Sequence, residues 1–428
     1  MTNRPLPTAV SAEGAWIIDA DGTRYLDAAG GAIVVNLGHG DRAVTDALNE
    51  QARRASYVHG TSFTTEALEV YAGELARVLP MDDPRIYPVS GGSEAVETAL
   101  KLARAYHLAR GESGRHKIVA RSGSYHGNTR GALDVSGREP LRRPYLPWLG
   151  AARHVSAPYE YRCQVPDHPN ACGKRLAEEL DRAIDAEGSG TVAAFIAEPV
   201  VGATLGAAVP APDYWPSVAE VCRRHGVLLI ADEVMTGFGR TGEWFGVDHW
   251  NVRPDILVAG KGASSGYWPL GLTVASGPVY EAVREGGFVH GFTYSHSAVG
   301  AAVGRAVLKR LREDDLVERS RDRGAALKEA LRSALVDFLA VGDVRGMGTM
   351  IGIELVRDRG TKEPFPRSDR VAERVLEAAR DRQLLLYPST GCANGTDGDL
   401  VMVGPPFTIS EEESAAIVER TAAAIAAM

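Results

Sequence analysis

Two stretches of the chain decide its fold, LLIADEVMTGFGRTG at residues 228–242 and PDILVAGKG at residues 254–262. Each contains a continuous apolar run that leads into a charged residue, Asp232 in the first stretch and Lys261 in the second. Short continuous apolar runs are typical of strands that are buried on both faces of a parallel sheet. The two stretches therefore predict an α/β fold with both charged residues at strand ends, where open α/β sheets bind their ligands.

Further runs of this kind extend the predicted sheet. The strand candidates are Lys117–Ala120, Val192–Glu198, Val227–Asp232, Ile256–Ala259 and Leu272–Ala275. Apolar residues at helical spacing between these runs predict helices that cover a mostly parallel sheet. A hairpin about Asp21-Gly22 and the altered pattern after Arg319 predict a smaller α+β unit. We expect a large domain at residues 60–318 and a small domain formed by residues 1–59 together with 319–428.

Composition and charge exclude several classes of protein. The 428 residues include 47 basic and 55 acidic side chains, a net charge of −8, so the basic surface of a nucleic-acid-binding protein is not expected. The apolar runs are far shorter than the roughly 18 residues of a membrane span, and the N-terminus lacks the apolar core of a signal peptide. Four scattered cysteines suggest reduced thiols in the cytoplasm. Between two of them, His168 lacks the ligand spacing of a zinc site, so we expect no metal.

Asp232 and Lys261 are the first candidates for chemistry. A buried carboxylate is costly unless a cation or hydrogen-bond donor meets it, although a single Asp at a strand end can also be a helix cap or a structural ion pair. Burial lowers the pKa of an amine and makes it a nucleophile that can form a Schiff base. A lysine in this position can instead extend its charged end to solvent.

Three other motifs are weaker when each is taken alone. The stretch SGGSEAVETALKLARAYH, Ser90 to His107, leads through Gly92 and Ser93 into a helix whose first amides could bind a phosphate. Tyr125-His126-Gly127 follows a strand, where an aromatic ring could stack on a planar cofactor or belong to the core. The GFGRTG turn at residues 237–242 matches a dinucleotide-binding pattern, but the aromatic, proline-broken segment after it does not predict the required helix.

In combination, these residues match the needs of pyridoxal 5'-phosphate (PLP), namely a lysine Schiff base, an acidic partner for the pyridine nitrogen and an anion site. At this point the chain resembles the class III, ω-amino-acid type, PLP-dependent aminotransferases, which have the type I PLP fold. The resemblance extends from DGTRYLDAAGG to GPPFTIS and is most specific at LLIADEV…GFGRTG…PDILVAGKG.

The resemblance implies a role for each matching residue. It implies that Lys261 is the Schiff-base lysine and the proton carrier, and that Asp232 is the partner of the pyridinium nitrogen. Val234 and Tyr125 would lie on the two faces of the ring. The other residues that we expect at the cofactor are Gly92, Ser93, His126, Glu198 and, across a homodimer interface, Thr293.

One position departs from the family pattern and bears on the substrate. Glu198 matches a glutamate that in several relatives pairs with an arginine three residues before the Pro-Pro pair, and this chain has Met402 there. We therefore expect Glu198 to lack its usual partner and the substrate carboxylate to be held elsewhere or not at all. Arg345 is the residue to test, although its RGMG context also fits a structural role. Five aromatic residues lie in segments that line the substrate entrance in relatives, although each could instead pack in the core: Trp16, Tyr57, Phe63, Tyr267 and Trp268.

The resemblance implies a homodimeric or tetrameric aminotransferase. It would move an amino group from an amine or amino acid to a small 2-oxo acid, such as pyruvate or 2-oxoglutarate, with ping-pong kinetics. The same family contains amino-acid racemases, an aminomutase and a decarboxylating transaminase, which are the alternatives. A nicotinamide oxidoreductase that uses the GFGRTG turn is a third possibility, and we expect no membrane or nucleic-acid partner.

Overall fold

The computed structural model describes residues 6–150, 152–163, 165 and 172–428, so His168 lies outside the described residues. Its strands are β1 (Ala9–Glu13), β2 (Trp16–Asp19), β3 (Arg24–Asp27), β4 (Arg85–Val89), β5 (Lys117–Arg121), β6 (Arg153–Val155), β7 (Val192–Ala197), β8 (Leu228–Asp232), β9 (Ile256–Ala259), β10 (Gly271–Ala275), β11 (Val341–Met347), β12 (Met350–Asp358), β13 (Glu363–Pro364), β14 (Leu384–Leu385), β15 (Tyr387–Thr390) and β16 (Asp399–Val403). Its helices are α1 (Gly30–Ile33), α2 (Arg42–Arg54), α3 (Glu66–Leu75), α4 (Gly92–Ala109), α5 (Arg130–Val135), α6 (Glu139–Arg142), α7 (Cys172–Glu187), α8 (Tyr214–His225), α9 (Gly277–Gly286), α10 (Ala298–Glu313), α11 (Leu316–Leu335), α12 (Val371–Asp381) and α13 (Glu411–Ala426).

A seven-stranded sheet forms the centre of the molecule, in the order β4-β10-β9-β8-β7-β5-β6. All neighbouring strands are parallel except at β10, which is antiparallel to both β4 and β9. The mostly parallel α/β prediction is therefore confirmed, as are the five predicted strands to within one residue at either end. The edge strands β4 and β6 were not predicted.

The apolar run that ends at Asp232 is continuous because the sheet is covered on both faces. Leu229 and Ala231 belong to the hydrophobic core on one face, whereas Leu228 and Ile230 belong to the core on the other. In β9, alternate residues divide between the same two cores. A strand whose two faces are both buried has no polar positions, which explains the absence of alternation in its sequence.

Both ends of the chain contribute to a smaller α+β region. The predicted hairpin is present as β2 and β3, and β3 also pairs in parallel with β14, where Leu26 lies opposite Leu384. A second sheet contains β11, β12, β16 and β15, with β13 paired to β12. One hydrophobic core joins these elements, since Leu26 packs in it together with residues of α11, α12 and α13.

The helix α2 lies with the large sheet although we placed it in the small domain. It packs against α10, and its Val44 is buried in the core beneath the large sheet. We therefore propose that the N-terminal part of the small domain ends before α2 rather than at residue 59. No helix within the described residues combines the length and apolar composition needed to cross a membrane.

Candidate active site

Asp232 and Lys261 come together because β8 and β9 are adjacent and parallel. Asp232 ends β8 opposite Val258, and Lys261 follows the end of β9 by two residues. The Asp232 carboxylate acts electrostatically on the Lys261 amine. The two candidates from the decisive stretches therefore share one edge of the sheet, which is the ligand-binding edge of open α/β folds.

Asp232 is held on both of its carboxylate oxygens and is only 3% exposed. Its Oδ2 lies 2.6 Å from His126 Nδ1, and its Oδ1 accepts a hydrogen bond of 3.0 Å from the Val234 amide. The His126 amide in turn donates to Ser136 Oγ at 2.8 Å. A buried carboxylate favours the tautomer in which Nδ1 donates, so His126 fixes the orientation of Asp232. Sequence reasoning placed His126 at the cofactor without finding this contact, because the two residues are 106 positions apart.

Lys261 has the properties of a nucleophile held under constraint. Its φ of 42° lies in the left-handed region, an arrangement that costs energy for a lysine and is concentrated at functional sites. Its Nζ donates to the carbonyl oxygen of Ala32 at 3.0 Å. Burial lowers the pKa of the amine to about 8, although the nearby Asp232 opposes this shift. A larger fraction of the amine is therefore neutral and reactive near pH 8 than for an ordinary lysine.

The predicted anion site lies beside these residues. The helix α4 begins at Gly92, and the first amides of a helix have no acceptor within the helix. A Cβ built on Gly92 would lie 3.0 Å from Val234 Cγ1, and one built on Gly260 would lie 3.6 Å from the Gly92 nitrogen. Glycine at position 92 thus lets the Val234 side chain pack closely against the start of α4, and Gly260, next to Lys261, lies beside the same helix start. Ser93 Oγ accepts a hydrogen bond of 3.1 Å from the Asn128 amide.

Two predicted cofactor residues are exposed in this chain. Tyr125 follows β5, its side chain is 41% exposed, and its amide donates to Glu198 Oε1 at 3.2 Å. Thr293 is exposed in the segment between α9 and α10. The exposed ring and hydroxyl are available to a bound molecule or to a second subunit.

Glu198 has a partner that sequence reasoning missed. Position 402 has no arginine, but Glu198 is paired with Arg121, whose Nη2 lies 3.0 Å from Glu198 Oε2. Both residues are buried, and Arg121 also donates to the Glu198 carbonyl oxygen. The only sequence signal for this pair was a basic residue directly after the predicted strand Lys117–Ala120.

Arg345 is engaged in structural contacts. Its Nη2 lies 2.8 Å from Glu354, its Nη1 lies 3.0 Å from Asp343, and it also donates to the Leu205 carbonyl oxygen at 2.6 Å. These buried contacts favour the structural role that its sequence context allowed, and they leave Arg345 poorly suited to bind a substrate carboxylate.

Three of the five aromatic candidates also make structural contacts. Trp16 Nε1 donates to Glu413 on α13 at 2.6 Å, and the Tyr267 hydroxyl donates to the Gly38 carbonyl oxygen at 2.8 Å. Trp268 packs against the core beneath the large sheet. Tyr57 and Phe63 differ from these, because they are exposed.

The GFGRTG turn supports the fold and does not begin a nucleotide-binding helix. Arg240 within it is buried and donates to Asn36 Oδ1 at 2.6 Å and to the Pro405 carbonyl oxygen at 2.7 Å. The element that follows is a five-residue 3₁₀-helix, Gly246–Trp250. The turn therefore connects the sheet to both ends of the chain and lacks the strand–turn–helix geometry that would hold a dinucleotide.

Comparisons with known proteins agree with this geometry. The family model described as aminotransferase class-III matches residues 2–425. An uncharacterized aminotransferase of Bacillus subtilis, YodT, is 38% identical over 424 residues, which cover 98% of this chain and 95% of that protein.

Solved structures give the same result. An (S)-enantioselective ω-transaminase of Thermomicrobium roseum is 38% identical, with a TM-score of 0.92 over 99% of this chain and 93% of that one. An amine transaminase from an uncultivated Pseudomonas species, solved in its PLP-bound form, is 35% identical, with a TM-score of 0.92 over 99% of this chain and 95% of that one.

Proposed function

The chain belongs to the class III aminotransferase family, and on this premise we propose that it transfers an amino group from an amine or amino acid to a small 2-oxo acid such as pyruvate or 2-oxoglutarate. The enzyme is a PLP-dependent aminotransferase with the type I PLP fold. The observation that carries the proposal is the placement of a buried carboxylate, Asp232, and a constrained amine, Lys261, on adjacent strand ends.

The residues at this edge of the sheet fit PLP. The fixed, buried carboxylate of Asp232 suits a protonated ring nitrogen, and the start of α4 at Gly92 and Ser93, which no side chain caps, suits a phosphate. Tyr125 and Val234 supply apolar surface for the ring. When bound, PLP supplies a conjugated ring that delocalises the electron pair left on the substrate carbon after a proton is removed.

Each side chain then has a defined task. Lys261 would hold the cofactor and would move a proton to and from the substrate carbon, a role suited to an amine whose pKa is lowered to about 8. Asp232 keeps its negative charge directed at one position because His126 fixes its orientation. Glu198, paired with Arg121, holds the Tyr125 backbone in place.

We propose that donor and acceptor use this single site in turn, which gives ping-pong kinetics. The test is a panel of amines and amino acids assayed against pyruvate and 2-oxoglutarate, with both products measured. The proposal predicts one equivalent of new amino acid for each equivalent of aldehyde or ketone product, and parallel lines in double-reciprocal plots. An inverted amino acid without any 2-oxo product would contradict it and indicate a racemase instead.

We propose that the working form is at least a homodimer, in which Thr293 reaches the cofactor phosphate of the second subunit. Exposed apolar side chains near this residue support the proposal, namely Tyr294, which follows it in the chain, and Tyr57. The rings of Tyr57 and Tyr294 lie 6.5 Å apart, so they form part of one patch. Exposed apolar patches of this kind mark protein interfaces. We also propose a cytoplasmic location, which a content of only four cysteines in 428 residues supports.

A further inference from the structure

The position at which several relatives carry a carboxylate-binding arginine is closed to charge in this chain. Met402 is completely buried in an apolar cluster that includes Ile33, Val200 and Met350. Arg345 is held by Glu354 and Asp343. Any cation that recognises a substrate carboxylate must therefore come from another segment.

Arg138 contacts β15, the strand that pairs with the strand carrying Met402. Its Nη2 is 3.4 Å from Ser389 Oγ on β15. Tyr387 is two residues earlier on the same strand, so it shares a face with Ser389, and it lies directly opposite Met402 on β16.

The backbone ties Arg138 to the segment that carries Tyr125. The Gly123 amide donates to the Gly137 carbonyl oxygen at 3.0 Å, and the Gly137 amide donates to the Ser124 carbonyl oxygen at 3.0 Å. A Cβ on Gly137 would lie 2.1 Å from the Arg121 carbonyl oxygen, so only glycine allows this close approach. Arg138 therefore directly follows a residue that is bonded to the segment carrying Tyr125.

The Arg138 guanidinium has no carboxylate within ion-pair distance in the part of the chain that the structure describes. Its side chain is only partly exposed, and burial lowers its pKa. A partly buried cation without a counterion is unfavourable unless an anion binds to it. Arg138 also borders a cavity of about 420 Å³ that opens to solvent and that Glu139, Leu205 and Thr390 help to line.

We propose that Arg138 binds the carboxylate of the substrate, and that the enzyme therefore prefers amino acids and 2-oxo acids to amines and aldehydes. The Ser389 hydroxyl is placed to bind the same anion. The inference rests on the proposed amino transfer, because it assigns a substrate class to that site. A planar guanidinium suits a carboxylate, to which it can donate two parallel hydrogen bonds.

The experiment uses the full-length, PLP-loaded enzyme and its variants Arg138→Gln and Arg138→Lys. Arg143→Gln is the matched control, because Arg143 is exposed and its ion pair with Glu139 spans 3.8 Å. With one donor throughout, kcat/KM is measured for pyruvate and for propanal, which lacks the carboxylate. Calorimetry then gives the affinity of each protein for propionate, a carboxylate that cannot react.

For Arg138→Gln we expect the ratio of kcat/KM for pyruvate to that for propanal to fall about 10- to 100-fold, and propionate binding to weaken by a similar factor. Arg138→Lys should recover part of both losses, and Arg143→Gln should match the wild type. An unchanged ratio with unchanged propionate affinity would overturn the proposal, as would equal losses for pyruvate and propanal. If the wild type transfers no amino group from any donor, the proposed function fails, whereas propionate binding still decides the role of Arg138.

Discussion

His126 Nδ1 lies 2.6 Å from Asp232 Oδ2, and both side chains are almost completely buried. The imidazole cannot turn freely, because its backbone amide is bound to Ser136 and the ring is enclosed. The contact orients one carboxylate oxygen and leaves the Val234 amide to orient the other. The charge that would face the ring nitrogen of the cofactor is thus set by residues of β8 and by the segment after β5.

Asp232→Asn tests the charge in this arrangement. The amide keeps the shape of the carboxylate but has no negative charge to stabilise a protonated ring nitrogen, so we expect PLP to remain bound while kcat falls about 100-fold or more. Absorption spectra report PLP content, and steady-state kinetics report kcat. Asp185→Asn, at an exposed position on α7, is the control and should behave as the wild type. Normal turnover by Asp232→Asn would refute the role of its charge.

The lowered pKa of Lys261 predicts how cofactor capture depends on pH. Only the neutral amine is a nucleophile, so PLP should attach to the cofactor-free enzyme faster as the pH rises from 6 to 9, with a midpoint at about 8. Stopped-flow absorbance measures the rate, and borohydride reduction followed by mass spectrometry identifies the attachment site. Lys261→Ala should show no attachment and no turnover. A midpoint near the ordinary value of 10.5 would mean that the amine is not desolvated.

The same shift links the stability of the cofactor-free protein to pH. Between about 8 and 10.5 the unfolded state binds more protons at Lys261 than the folded state does, so this residue makes folding more favourable as the pH rises through that window. Below pH 8 the cost of burying a charged amine is present in full. Lys261→Met removes it, and we expect the variant to unfold at a higher temperature than the wild type at pH 7.5. Calorimetry at pH 7.5 and at pH 10 should show that the difference in unfolding temperature between Lys261→Met and the wild type is smaller at pH 10.

The Arg121–Glu198 pair should contribute to stability in a way that depends on both partners. Arg121→Met leaves the buried Glu198 carboxylate without its cation, and we expect a loss of about 3–5 kcal/mol in the free energy of unfolding. The double variant Arg121→Met with Glu198→Met removes both charges and should recover much of this loss. Denaturant unfolding of the two variants measures the difference. Equal free energies of unfolding for Arg121→Met and the double variant would contradict the expected recovery, since removing the unpaired Glu198 carboxylate would then have no effect.

Thr293 can be assigned to one subunit or the other by mixing two inactive proteins. Lys261→Ala lacks the amine, and Thr293→Asp places a negative charge against the cofactor phosphate, so each alone should be inactive. If Thr293 acts across the interface, each mixed dimer contains one complete site, and random mixing restores about a quarter of the wild-type sites. Coexpression with two affinity tags isolates the mixed dimer for assay. Its inactivity would place Thr293 in the site of its own subunit.

The sequence predicts the parts of the site that are local and misses those that depend on distant contacts. Asp232 and Lys261 could be predicted because each stands at the end of an apolar run, and this unusual pattern is visible within a few residues of sequence. The contact of Lys261 with Ala32 spans 229 residues and has no local signal. Arg121 and Arg138 resemble surface arginines in sequence, and only the packing of β5 and β15 shows what surrounds them.

The contact between Trp16 and Glu413, at a separation of 397 residues, has a consequence for synthesis of the protein. At about 5–20 residues per second, a ribosome needs roughly 20–80 s to reach the second partner after it has made the first. The N-terminal hairpin lacks its partner strand β14 until residue 385 has been made, and the Ala32 carbonyl lacks its lysine partner until residue 261 has been made. The nascent chain therefore leaves one edge of this small sheet unpaired until β14 has been made, and an unpaired strand edge is a site for aggregation during that interval.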